Sequence, residues 1–206
     1  MTSALAALLS EPYAALYPDV AWALEGTGVR YELVDERLIE EGGLGAFDLL
    51  VIPGGYTFRL LASLSGRAAG NIRSFVQRGG GYVGICMGAY AAPALGLVEA
   101  EALRFHGEKM VDIFISDPSH PVAKGFRGWV RMYYQNGPEF VPKRGERVVA
   151  TFRSGRAAIL SAELGLGRIV LFSPHPERVK GTWGLLRNAV EFCSKPRFGA
   201  RGGLSP

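Results

Sequence analysis

The stretch that most constrains this chain is Gly80-Gly81-Tyr82-Val83-Gly84-Ile85-Cys86-Met87-Gly88-Ala89-Tyr90. An apolar run stops at a single cysteine and passes directly into small residues suited to a helix start. In an α/β sheet such a pattern builds a sharp strand-to-helix turn, here with G-x-C-x-G in place of the G-x-S-x-G of serine hydrolases. Glycines at 84 and 88 leave room where a Cβ would meet neighbouring backbone, so the residue between them can sit strained with its side chain exposed. A helix that begins just past Cys86 aims its positive end and free N–H groups at the sulfur, which favours a thiolate and an oxyanion beside it. An isolated cysteine among apolar residues is also a common small core residue, and the spacing alone leaves both readings open.

A second stretch carries the argument further. In Leu171-Phe172-Ser173-Pro174-His175-Pro176-Glu177 an apolar segment, 167–172, ends on a histidine followed two residues later by a glutamate. A thiol nucleophile needs a base to take its proton, and the base needs a third group to fix its tautomer and orientation. Cys86, His175 and Glu177 supply those three roles.

Taken together, G-I-C-M-G after one apolar strand and S-P-H-P-E after a later one resemble the class I glutamine amidotransferase-like superfamily, and Val51-Ile52-Pro53-Gly54-Gly55 adds to the match. Tyr133-Tyr134-Gln135-Asn136-Gly137-Pro138-Glu139-Phe140 is similar to a segment of the biotin-protein ligase N-terminal domain-like branch. The resemblance implies a Cys-His-Glu triad in this chain order, with the N–H groups of Gly55 and Met87 as an oxyanion hole. One departure stands out: where the family's glutaminases read G-x-C-x-G-x-Q, this chain has Tyr90. No counterpart is visible of the segments that hold glutamine's α-amino and carboxylate groups. A pocket that lacks such polar partners loses discrimination steeply, so free glutamine is not the expected substrate.

The expected activity is therefore that of a cysteine-dependent amidase or hydrolase acting on a small-molecule amide or ester. Gly54, Tyr56, Tyr90, Tyr133, Tyr134 and Asn136 are the candidates for substrate contact. Tyr133, Tyr134 and Asn136 read equally well as a strand end followed by an Asn-Gly turn. Two other functions stay open. One is a binding or regulatory module like the ligase's accessory domain. The other is a redox or carbonyl-stress protein of the related intracellular-protease branch, in which Glu11 would contact the thiol. Met87 stands where that branch commonly has a histidine. Any ammonia released would need a separate synthetase or ligase partner to be used.

The expected fold class is α/β: a three-layer α/β/α sandwich with a mainly parallel, flavodoxin-like sheet plus an antiparallel extension. Predicted strands at 4–9, 30–34 and 47–52 alternate with helical segments, which implies right-handed crossovers and parallel pairing. In the second of these strands Tyr31 and Leu33 alternate against polar neighbours. Residues 56–66 read as a loop with a helical turn, and Ile72, Phe75 and Val76 form an apolar stripe along a helix over 68–77. From 97 to 160 the pattern changes to short alternating segments at 110–115, 129–134, 148–152 and 157–160, which suit antiparallel strands. A closing helix spans 181–193.

At 206 residues the chain suits one such domain, expected over 1–194, with 195–206 as a loose tail. No run approaches the ~18 consecutive apolar residues of a membrane helix, and a cytoplasmic location is expected. Cys86 and Cys193 form neither a disulfide framework nor a C-x-x-C pair. The net charge of +4 comes from scattered Lys and Arg, with one cluster at Lys195, Arg197 and Arg201, so nucleic acid is not an expected partner. His120 lies in a proline-bounded turn and suits a structural or surface role. His106 could line the site, but no companion stands at metal-ligand spacing, and neither metal nor cofactor is expected.

Overall fold

Strand β1 (Leu5–Leu9) enters the sheet one place in from an edge, and the chain then alternates helix and strand as the sequence predicts. The structure is a computed structural model that describes residues 4–194; the predicted tail at 195–206 lies outside the described residues. Helix α1 (Tyr17–Gly26) leads to β2 (Arg30–Val34), and α2 (Glu36–Glu40) to β3 (Leu49–Ile52). Helices α3 (Thr57–Ser63) and α4 (Gly66–Gln77) precede β4 (Gly81–Ile85), which passes through the cysteine turn into α5 (Met87–Ala94). Six strands follow: β5 (Glu101–Arg104), β6 (Glu108–Ile115), β7 (Gly128–Gln135), β8 (Pro138–Val141), β9 (Arg147–Phe152) and β10 (Ala157–Leu164). Strand β11 (Gly167–Phe172) and helix α6 (Trp183–Ser194) complete the fold.

The strands form one sheet in the order β2-β1-β3-β4-β11-β10-β9-β6-β7, with β8 paired to β10 and to β5. The first five are mutually parallel in the flavodoxin-like order. From β10 outward the pairing is antiparallel, so the extension continues the parallel sheet beyond β11.

Period-two alternation along the parallel strands sends side chains to two separate cores. On one face Ala6, Leu8, Val51, Val83 and Phe172 pack with Val20 and Leu24 of α1 and with Leu186, Ala189 and Val190 of α6. On the other, Ala7, Leu9, Ile52, Tyr82 and Leu171 pack with Ile72, Phe75 and Val76 of α4 and with Met87 and Ala91 of α5. Helices thus cover both faces, which is why these strands read as nearly continuous apolar runs.

Several elements differ from the sequence reading. Leu33 is 52% exposed and Val34 is the buried residue of β2, because β2 is an edge strand beside β1 alone. Residues 43–46 form a 3-10 turn, so β3 begins at Leu49. Helix α2 is short and polar and carries little periodic signal; the Asp35 side chain caps it by accepting from the Leu38 N–H at 2.9 Å. Strands β5 and β8, four residues each, are too brief to show alternation. The last helix begins at Trp183, after a 3-10 turn over Lys180–Thr182.

His120 is a core residue. Its Nδ1 accepts from the Val122 N–H at 3.2 Å, which leaves the proton on Nε2, and Nε2 donates to Ser161 Oγ at 2.9 Å. Burial and the nearby Arg147 both hold its pKa below the usual histidine value. Ser161→Ala should leave a buried ring N–H unpaired and cost about 1–3 kcal/mol in urea denaturation. The rate of Cys86 alkylation should stay the same; a neutral effect on stability would show that the pair contributes nothing.

Candidate active site

Cys86 ends β4 and is the N-cap of α5, with φ 49° and ψ −96°. That is a left-handed φ that an L residue adopts only where the surroundings enforce it. They do so here by close packing on both sides. A methyl group on Gly88 would stand 2.1 Å from the Ile52 carbonyl oxygen, and one on Gly84 would stand 2.6 Å from the Gly88 carbonyl oxygen. The Cys86 N–H donates to the Phe172 carbonyl at 2.9 Å, continuing the parallel ladder between β4 and β11 one step past the strand end.

The same ladder places the histidine. Beyond β11 the chain runs through Ser173 and Pro174 to His175, whose N–H donates to the Tyr133 carbonyl at 2.8 Å. His175 and Glu177 are fully buried, and Nδ1 lies 2.7 Å from Glu177 Oε1. The loop after the histidine is tied by Trp183 Nε1 donating to the Glu177 carbonyl at 2.7 Å and by Thr182 Oγ1 donating to the Pro176 carbonyl at 2.9 Å. The ring rests against Gly54, where a Cβ would come within 2.8 Å of its Cε1. His175 Nε2 and Glu177 Oε2 have no hydrogen-bond partner among the described residues.

Cys86 Sγ donates to the Gln135 carbonyl at 3.3 Å rather than to His175. The sulfur is nevertheless near enough to act on the ring. Burial works against the imidazolium, but the Glu177 carboxylate and the Cys86 sulfur outweigh it and push the His175 pKa up to about 10.

The Met87 N–H opens α5, directly after Cys86, and the Gly55 N–H follows β3. Neither donates to a backbone carbonyl outside regular helices and strands among the described residues. Gly55 must be glycine because a methyl group there would stand 2.0 Å from the Tyr13 carbonyl oxygen. A cleft of about 500 Å³ opens over Cys86, walled by Leu16, Tyr56, Phe58, Tyr90 and Arg104. Asn136 also lines it from a left-handed position, φ 52°, and its Oδ1 accepts from the Gly107 N–H at 2.9 Å.

Of the predicted contact residues, Tyr56, Tyr90 and Asn136 line the cleft, as does His106, and Gly54 backs the histidine. Tyr133 and Tyr134 are not among its walls. The Tyr133 hydroxyl donates to Glu108, and the buried Tyr134 hydroxyl reaches the Phe105 and Gly137 carbonyls at 2.8 and 2.7 Å. The sequence reading missed Leu16, Phe58, Gln135 and Arg104; Arg104 stands two residues before His106 in a stretch singled out only for the histidine. No group of three or more His, Cys, Asp or Glu among the described residues is arranged to hold a metal.

The raised histidine pKa has a signed consequence. A folded-state value of about 10 stands above the ~6.5 of an unfolded chain, so the pair stabilises fully below about pH 6.5 and loses its contribution as pH rises to about 10. The melting temperature of the wild type should fall across that window more steeply than that of His175→Gln. Equal slopes would mean that the folded imidazole is uncharged.

The family described as "Biotin-protein ligase, N terminal" matches residues 31–126. The chain is 26% identical to the biotin–protein ligase of Schizosaccharomyces pombe over 63% of its own length, spanning 25% of that protein. Among solved structures it resembles PurLQS from Thermotoga maritima, with a TM-score of 0.78, 20% identity and coverage of 93% of this chain and 99% of that one. A glutamine amidotransferase from the same organism superposes with a TM-score of 0.69 at 13% identity, over 95% of this chain and all of the other. The chain is also 32% identical to the imidazole glycerol phosphate synthase subunit HisH of Synechococcus, over 86% of its own length and 90% of that protein. On this likeness, and with the fold just described, the chain belongs to the class I glutamine amidotransferase-like superfamily.

Proposed function

We propose that this protein is a cysteine-nucleophile hydrolase of C–N bonds whose substrate is an amide other than free glutamine. The observation that carries the reading is the buried 2.7 Å His175–Glu177 pair, set at the end of the strand beside the one that ends in Cys86. In this reading the Cys86 sulfur turns from the Gln135 carbonyl to His175, and the proton the two share rests on the imidazole, which leaves a thiolate beside an imidazolium. The thiolate attacks the carbonyl carbon, and the N–H groups of Gly55 and Met87 receive the developing oxyanion. The imidazolium protonates the leaving nitrogen as the C–N bond breaks. His175 then removes a proton from water, the hydroxide attacks the thioester, and the acid leaves as the thiol re-forms. Glu177 keeps the ring oriented and favours its charged form throughout.

Tyr90 supports the exclusion of glutamine, since it places a half-buried phenol on the cleft wall where the superfamily's glutaminases carry an amide. A separate partner that uses the released ammonia also fits, because the HisH relative is named as a subunit of a synthase. A binding module is the second reading, favoured by the hydrogen bond that holds the thiol on Gln135. The carbonyl-stress reading has no such support: Glu11 is exposed, and no hydrogen bond joins it to the sulfur among the described residues.

Ammonia release from a panel of primary amides, with L-glutamine included, and alcohol release from a parallel set of esters test the proposal. Turnover of at least one amide should exceed that of L-glutamine, and Cys86→Ala should lower it by more than about 10³-fold. Equal rates in wild type and variant would refute it. So would a silent panel from a protein that still binds one of the same compounds, and that result would favour the binding module.

A further inference from the structure

The charge on the cleft walls is one-sided. Arg104 and His106 line it, and no aspartate or glutamate does. Arg37, Arg147, Arg153, Arg178 and Arg187 each pair with a carboxylate within 3.2 Å. Arg104 makes neither an ion pair nor a side-chain hydrogen bond among the described residues. Its guanidinium lies over the Phe58 ring, 4.3 Å from the centroid. Stacking of this kind holds a guanidinium by its face and leaves the edge N–H groups free for a planar anion. The Tyr90 phenol feels the charges of both Arg104 and Cys86, so the guanidinium and the sulfur address the same part of the cleft.

We infer that the cleft selects net-anionic amides that lack an α-ammonium group, with Arg104 as the specificity-determining residue that holds the anion. This deepens the hydrolase reading and rests on it for the reacting end of the substrate. Free glutamine is a zwitterion. Its carboxylate finds Arg104, but its ammonium enters a site with no carboxylate and with a guanidinium already present. A desolvated charge without a partner costs more than one charge-assisted hydrogen bond returns. An ω-amide of a dicarboxylic acid, or a glutamine acylated on its α-nitrogen, keeps the anion and the scissile amide and removes the unmatched cation. The exposed rings of Tyr56 and Phe58 offer such a molecule an apolar wall along its chain.

The test measures how well small molecules protect Cys86 of the intact protein from iodoacetamide, read by peptide mass, alongside ammonia release. The probes are glutaramate, which is glutamine without its α-amine, N-acetyl-L-glutamine, the neutral methyl ester of glutaramate, and L-glutamine. Glutaramate and N-acetyl-L-glutamine should protect at concentrations about tenfold or more below those of the ester and L-glutamine. Arg104→Gln should erase that advantage and Arg104→Lys should keep part of it. Equal protection by glutaramate and its ester, an undiminished advantage in Arg104→Gln, or no protection by any probe would overturn the inference. Protection in the expected order without ammonia release would uphold the anion site and count against hydrolysis. Ammonia release indifferent to Arg104 would do the reverse.

Discussion

The site depends on the parallel pairing of β4 with β11. Phe172 is opposite Ile85 in register, and the next backbone bond, from the Cys86 N–H to the Phe172 carbonyl, fixes where the two chains part. One chain turns at once into α5 and leaves Cys86, itself buried, at the floor of the cleft. The other runs on to His175, where a backbone bond to Tyr133 of the antiparallel extension stops it. Cys86 and His175, nucleophile and base in the proposed reaction, therefore come from segments 89 residues apart (175 minus 86), brought together by ladder hydrogen bonds rather than by flexible side chains. Strand β3, on the other side of β4, brings Gly54 and Gly55 to the same edge. This is the crevice beyond the carboxyl ends of parallel strands where open α/β sheets bind their ligands.

The arrangement contains locally unfavourable features, each with a visible counterweight. Cys86 holds a left-handed backbone, and its turn is enclosed by Ile52, Gly84 and Gly88 with no room to relax. A histidine and a glutamate are buried together, and the charge of each makes the other tolerable. The segment between them and α6 is fixed by Trp183 and Thr182 through backbone carbonyls, so the pair is held from the first turns of a helix that also fills one core. The extension supplies Gln135 and Asn136 to the cleft and the Tyr133 carbonyl to the histidine, and so belongs to the site as much as the parallel sheet does.

Much of this was legible in the sequence because the parallel strands are buried on both faces and the cysteine turn needs glycine at fixed places. Cys86, His175, Glu177, Gly54 and Gly55 each sit at the end of an unmistakable apolar run. What was not legible depends on contacts distant in sequence. Tyr133 and Tyr134 differ by one position in a strand, and alternation turns one hydroxyl to Glu108 and buries the other beneath the cleft. No local pattern says which of the two faces a ligand. Arg104 acquires meaning only because Phe58, from a helix 46 residues earlier (104 minus 58), stacks beneath it. Helix α2 and strands β5 and β8 are too short for their composition to exceed that of a loop.

The central claim is that His175 acts on the sulfur of Cys86, and the rate of Cys86 alkylation by iodoacetamide at neutral pH tests it most directly. Cys193 is an internal reference, since burial pushes its thiol up to about 12. The account predicts that Cys86 reacts far faster than Cys193 and that His175→Ala slows it by at least about tenfold. Slow and equal labelling of the two cysteines, or a rate unchanged by the loss of His175, would contradict it.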